Sequence, residues 1–279
     1  MSDLAETRAR IASMAELLDI VGAMRSLAAM RMQEALGRLD GIRSYADAMA
    51  TAIADATLLL PAGGQGSPAG PQALVLCMAE HGFVGGFNER LVTAALPALR
   101  PGDVLVVLGS RGALLAEEKG RPADVVLPMA TRCAGVTDMV GRLSAELYRR
   151  IAAGRLGAIT VMFARYRPGA MAGIETRRLL PLDDGIRQQR RATQPPLHNL
   201  PPAALHEQLV AEHVFALLTE AAVESLASEN AARFAAMDSA RDNVGKQLDS
   251  LRHKARQARQ TEITTELLEL VTGAEALQA

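Results

Sequence analysis

The stretch Gly82-Phe83-Val84-Gly85-Gly86-Phe87-Asn88 holds the residue types and spacing most able to do chemistry. It follows a short apolar run, Ala73–Met78, and opens a helical pattern at Asn88. A strand, a glycine loop and a helix in that order can hold a phosphate on exposed backbone N–H groups at the helix start. The glycines here lack the G-x-G-x-x-G order, and no Gly-Lys-Ser/Thr follows them. The second apolar run ends in Leu108-Gly109-Ser110, with no acid to hold a ribose. The loop therefore reads as a structural turn built on Gly82, Gly85, Gly86 and Asn88. A nucleotide-binding enzyme with helical arms is the alternative.

Other candidate chemistry is thinner. His198, His206 and His213 are expected on no shared helix face, which argues against a metal site. Carboxylates are scattered, with no defensible acid/base pair. Cys77 and Cys133 are too few for a disulfide framework. A net charge of −1 implies no nucleic-acid partner. No N-terminal signal pattern and no membrane-spanning apolar stretch is read. No cofactor or metal is expected, and the chain reads as non-catalytic.

The elements that must carry these residues are set out by proline. All 13 prolines lie between Pro61 and Pro202. Proline breaks helix interiors, so each end can run as one long helix while the middle is cut into short elements. Apolar and small residues recur at Leu4, Ile11 and Leu18, and at Thr7, Met14, Val21, Ala28, Ala35, Ile42 and Met49. Met237, Val244, Leu251 and Ala258 repeat by seven near the other end, with Leu248 and Ala255 beside them and Ile263, Leu267 and Leu270 beyond. These are heptad seams. Gly273 is the expected stop of the last helix.

Between the helices, apolar runs at Ala73–Met78, Val104–Leu108, Val125–Met129 and Ile159–Tyr166 read as strands. Ile174–Leu180 is a fifth, more amphipathic one. Helical patterns at Asn88–Leu99, Ser110–Lys119 and Val136–Ala153 separate them, which implies crossovers and a mostly parallel sheet. The expected fold is α/β: a long antiparallel coiled coil of the N- and C-terminal helices, with an inserted Rossmann-like domain. The expected divisions are 1–60 N-terminal helix, 61–72 linker, 73–202 α/β domain and 203–279 C-terminal helix.

Three segments resemble the gamma subunit of F-type ATP synthases, the central rotor shaft of the F1 motor. Ala23-Met24-Arg25-Ser26-Leu27-Ala28-Ala29 is similar to that family's K-A-M-x-M-V-A-A. Gly85-Gly86-Phe87-Asn88 is similar to its G-G-[FY]-N. In the last helix, Arg233-Phe234-Ala235-Ala236-Met237, Asp242-Asn243, Ala258-Arg259-Gln260, Ile263-Thr264, Glu266-Leu267 and Val271-Thr272-Gly273-Ala274 follow the family pattern without gaps.

The resemblance implies a rotor in an alpha3beta3 ring, driven by a membrane c-ring, with the epsilon subunit on the sheet domain. Catalysis would reside on beta, and the location would be the cytoplasmic face of the bacterial inner membrane. It implies contacts to beta at Met24, Arg233, Arg259, Gln260, Thr264 and Glu266. A solvated helix face is the plainer reading of Arg259 and of the neighbouring Arg252, His253, Lys254 and Arg256; coil core is the plainer one for Met24. A structural coiled-coil scaffold is a further alternative. The chain departs from the pattern at Asp19, Gly22, Glu34, Glu80-His81 and Val84. Its first 56 residues hold six basic and eight acidic side chains. Those departures leave a housekeeping synthase and the divergent, alternate F-type class both open.

Overall fold

The computed structural model describes residues 3–60, 70–183, 185–188 and 194–276. Helix α1 spans Asp3–Ala56 and continues as a 3-10 turn at Thr57–Leu59. Strand β1 (Gln72–Cys77) leads to α2 (Phe87–Ala95), β2 (Val104–Leu108) and α3 (Ser110–Glu118). Next come β3 (Val125–Leu127), α4 (Val136–Ala152), β4 (Ala158–Arg165), β5 (Gly173–Leu180), a short α5 (Gly185–Gln188) and α6 (Pro202–Ala276). Every strand lies within two residues of its sequence-based position. Most of the expected linker, residues 61–69, lies outside the described residues.

The chain divides into two compact units, Ala28–Arg233 and Met1–Leu27 with Phe234–Ala279. In the larger unit the five strands lie in the order β3-β2-β1-β4-β5. All neighbours are parallel except β4 and β5, which pair antiparallel. Only seven residues join β4 to β5, too few for a crossover and enough for a hairpin.

Side chains alternate across β1. Ala73, Val75 and Cys77 face α4 and parts of α1 and α6, while Leu74, Leu76 and Met78 face α2 and α3. Both sheet faces are thus covered, which is why the strands are apolar throughout. Gly109 sits at the end of β2 with φ +111, and a Cβ there would lie 2.6 Å from the Met78 carbonyl oxygen. This close approach needs glycine, so the dipeptide after Leu108 serves packing.

Within this unit α1 and α6 run antiparallel. Arg43 reaches Glu220 while Tyr45 Oη donates to Glu212. The heptad seam does not persist here. Ala28 and Ala35 are buried as expected, but Ile42 and Met49 are only half-buried, and Leu39, Ala46, Ala50 and Ile53 take the core positions. An unsupercoiled helix drifts about 20° per heptad, and a helix packed on a sheet has a wider buried face than a coil seam. On α6, residues 220–230 are buried on every side. That segment is a core helix with neighbours all round.

In the smaller unit Val21, Met237 and Leu248 are buried, and Arg25 Nε donates to Asp238 at 2.6 Å. The Arg25 guanidinium also stacks 4.5 Å from the Phe234 ring centre. Val244, Leu251, Ala255 and Ala258 are half-buried, as a seam requires, whereas Ile263, Leu267 and Leu270 are exposed. The helix passes Gly273 and runs to Ala276. One interior glycine costs only about 1 kcal/mol and does not end a helix.

Candidate functional site

The glycine loop is held by neighbours rather than left open. Asn88, buried at the start of α2, accepts the Ala79 N–H on its Oδ1 at 2.9 Å. Gly85 has φ +54, and Phe83 also adopts a positive φ while exposing its ring. Gly86 precedes the first residue of α2, and its carbonyl accepts the Arg90 N–H.

Glu80 ties the loop's base to two other strand ends. Its carboxylate accepts from Ser110 N–H, Ser110 Oγ and Met129 N–H at 2.7–3.1 Å. Partial burial raises the Glu80 pKa, but those hydrogen bonds outweigh it and leave it below the usual carboxylate value. A surface depression of about 530 Å³ lies between this loop and α3, lined by Phe83, Gly85, Glu89, Arg111, Leu114 and Lys119 among others. Lys119 reaches Glu89 across it at 3.6 Å.

Open α/β sheets bind ligands at the carboxyl ends of strands where the strand order reverses. Here that crevice lies between β1 and β4, and α6 fills it. Ser225 Oγ donates to the Cys77 carbonyl at 2.6 Å and Ser228 Oγ to the Ala164 carbonyl at 2.9 Å. Glu224 accepts the Tyr166 N–H at 3.2 Å. The helix makes the hydrogen bonds that a bound ligand makes in an open sheet.

Arg233 is buried, and its partners lie within the chain. It pairs with Glu229 at 2.6 Å and also donates to Asn230 Oδ1 and to the Gly82 carbonyl. Burial pushes the Glu229 pKa up, against the pull of Arg233, His81 and Arg31. Met24 is half-buried on α1. Arg259 and Gln260 are exposed on α6, and Thr264 Oγ donates to the Gln260 carbonyl at 2.8 Å. The Glu266 side chain lies outside the described residues.

His206 and His213 stand seven residues apart on α6 and are both buried. The expectation that the histidines share no helix face fails for this pair, because seven residues is close to two turns. His213 Nδ1 lies 3.2 Å from the Ala46 carbonyl, and burial holds its pKa down. Among the described residues no three His, Cys, Asp or Glu gather as a metal site, and no helix is long and apolar enough to cross a membrane.

The family model described as ATP synthase (ATP-synt) matches residues 3–277 of the chain. The chain belongs to the ATP synthase family. The ATP synthase gamma chain of Bartonella bacilliformis is 29% identical over 99% of this chain and 100% of its own length. A chain of the mitochondrial ATP synthase of Euglena gracilis, solved as an OSCP/F1/c-ring assembly, is 16% identical, with a TM-score of 0.64 over 98% of this chain and 94% of its own. A chain of the Euglena gracilis rotor shares 15% identity, with a TM-score of 0.59 over 93% of this chain and 98% of its own. These solved structures share the fold of helix pair and inserted sheet.

Of the contacts expected on the terminal helices, Arg259, Gln260 and Thr264 are exposed on α6, whereas Met24 is half-buried on α1 and Arg233 is buried. What those expectations missed is the buried charge inside the larger unit. Glu220 and Glu224 are buried, and Arg43 of α1 pairs with both. Arg177 of β5 pairs with Glu220 and, at 2.7 Å, with Glu175. Arg165 of β4 pairs with Glu175 at 2.8 Å and lies 3.8 Å from Glu224. The Arg177 guanidinium lies 5.5 Å from the Phe163 ring centre. Burial works against the Arg43 and Arg177 charges, and their carboxylate partners more than offset it, raising both pKa values. The available signal was Glu220 and Glu224 four apart in an alanine-rich run. Like charges at that spacing repel on a helix and call for a cation between them.

Proposed function

We propose that this chain is the central-stalk rotor subunit of an F-type ATP synthase or ATPase. It couples rotation of a membrane c-ring to ATP synthesis or hydrolysis on an alpha3beta3 ring. The chain itself is non-catalytic, and the nucleotide sites reside on the beta subunits. The observation that carries the reading is the family match over 3–277 on a chain whose two long helices pair antiparallel. The switch-point crevice occupied by α6 supports it, since ligand chemistry has no place there.

In this reading the helix pair turns within the ring, and its uneven surface favours different beta conformations at different angles by differential contacts. Met24, Arg259, Gln260, Thr264 and Glu266 meet beta, while Arg233 acts through the glycine loop it holds. The epsilon subunit binds the sheet-bearing unit. The complex sits at the cytoplasmic face of the bacterial inner membrane.

The test is reconstitution. The chain is combined with F-type alpha, beta and epsilon subunits and with c-ring-bearing membranes, and ATP-driven ion uptake is followed. Uptake that depends on this chain is the expected result. Assembly and uptake unchanged without it would overturn the reading.

A further inference from the structure

The contact between the helix pair and the sheet in the larger unit is mainly apolar. On α6 the large Leu218, Val223 and Leu226 alternate with the small Ala221, Ala222 and Ala227. Apolar burial holds the surfaces together but is non-directional. A single angular setting is fixed more sharply by directional groups. Ser225 and Ser228 supply two, through the Cys77 and Ala164 carbonyls.

The others are six charged side chains, three Arg and three Glu. Glu220 and Glu224 lie one helical turn apart on α6, 7% and 3% exposed. Each is gripped from two sides. Arg43 of α1 binds both, Arg177 of β5 binds Glu220, and the Tyr166 N–H at the end of β4 binds Glu224, with Arg165 nearby. Glu175 joins Arg165 to Arg177 and closes the set.

We propose that this neutral clasp of Arg43, Arg165, Arg177, Glu175, Glu220 and Glu224 is the torque-bearing joint that locks α1 and α6 in one rotational setting against the β4–β5 hairpin. This rests on the rotor reading above. Buried ion pairs contribute little stability beyond a well-packed apolar replacement. What six matched charges add is geometry. A turn of α6 by one residue swings both carboxylates about 100° away from their partners, so the joint holds at one angle only. Without the clasp, apolar packing and two serine hydrogen bonds would let part of the torque applied to the sheet be lost as slip.

The decisive variant makes the joint greasy at constant charge: Arg43→Leu, Arg177→Met, Glu220→Leu and Glu224→Met together. Arg165 and Glu175 keep each other. The full chain should retain its helix content and a thermal midpoint within about 5 °C of wild type. In the reconstituted complex, ATP hydrolysis should persist while ions pumped per ATP fall several-fold. Normal fold with normal pumping per ATP would overturn the clasp. A wild-type chain that supports no pumping would instead overturn the rotor reading.

Should the fourfold variant not fold, Glu220→Gln and Arg177→Lys are compared by amide exchange in the isolated full chain. Glu220→Gln should speed exchange at Tyr166 and along β5 about tenfold or more, with α6 protection unchanged, and Arg177→Lys should lie between it and wild type. Equal exchange in all three chains would refute the joint.

Discussion

Replacing Arg233 with Met should damage this protein more than replacing Arg233 and Glu229 together. The two side chains are 10% and 6% exposed and meet at 2.6 Å. Arg233→Met leaves the Glu229 carboxylate buried without its strongest partner; only the more distant His81 and Arg31 still favour its charge. Breaking one half of a buried pair costs about 3–5 kcal/mol, whereas an apolar replacement of both halves is often neutral. One kcal/mol moves the midpoint of a unit this size by about 2–4 °C. The single variant should therefore melt roughly 6–20 °C lower near pH 8. Glu229→Leu with Arg233→Met should stay within a few degrees of wild type.

The loss should also depend on pH. Burial raises the folded-state pKa of Glu229. Between its unfolded and folded pKa values the native state holds the extra proton, so stability falls as pH rises through that window. Removing Arg233 raises the folded value further and widens the window upward. The single variant should thus recover toward wild type as pH is lowered to about 5, where Glu229 can protonate. Thermal unfolding followed by circular dichroism across pH 5–8 is the assay. A single variant as stable as wild type at pH 8, or one no more destabilised than the double, would refute the reasoning.

Arg259→Ala and Gln260→Ala remove exposed side chains; coupling in the reconstituted complex should fall, by up to the roughly 1.5–3 kcal/mol of a charged hydrogen bond, while the midpoint holds. A lowered midpoint with normal turnover would make them structural. Met24→Lys, at a half-buried position, should leave complex yield intact and steepen the temperature dependence of ATP hydrolysis, since even about 1 kcal/mol of angle-dependent ion pairing deepens particular stopping points. Poor yield would place Met24 in the coil core. Gly109→Ala should destabilise the chain by about 1–3 kcal/mol or more, because φ +111 and the Met78 carbonyl both exclude a Cβ; an unchanged urea midpoint would contradict this. The lowered pKa of Glu80 contributes stability above the unfolded carboxylate pKa that is lost as pH falls through the folded one. Glu80→Gln should flatten acid unfolding below about pH 4.5, and an unaltered acid limb would refute the anchor.

The sequence alone was enough to find the strands and the two long helices. Apolar runs of five to eight residues bounded by glycine and proline have few other homes, and the confinement of proline to 61–202 leaves both ends free to stay helical. It also named Arg259 and Gln260 as candidate contacts from a matched motif, and the structure leaves both exposed on α6. The tertiary structure alone decided the rest. The heptad seam at Ala28 and Ala35 gives way to Leu39, Ala46 and Ile53, because a sheet covers a wider arc of a helix than a partner helix does. The short Glu220–Asn230 run of alanine, serine and glutamate looks like helix surface, yet it is buried all round. Its Glu220 and Glu224 charges are neutralised by Arg43, Arg165 and Arg177, and its serines bond the Cys77 and Ala164 carbonyls. Partners between 43 and 181 residues away along the chain leave no local periodicity. Burial of a charge becomes readable only when the chain has folded and the countercharge stands beside it.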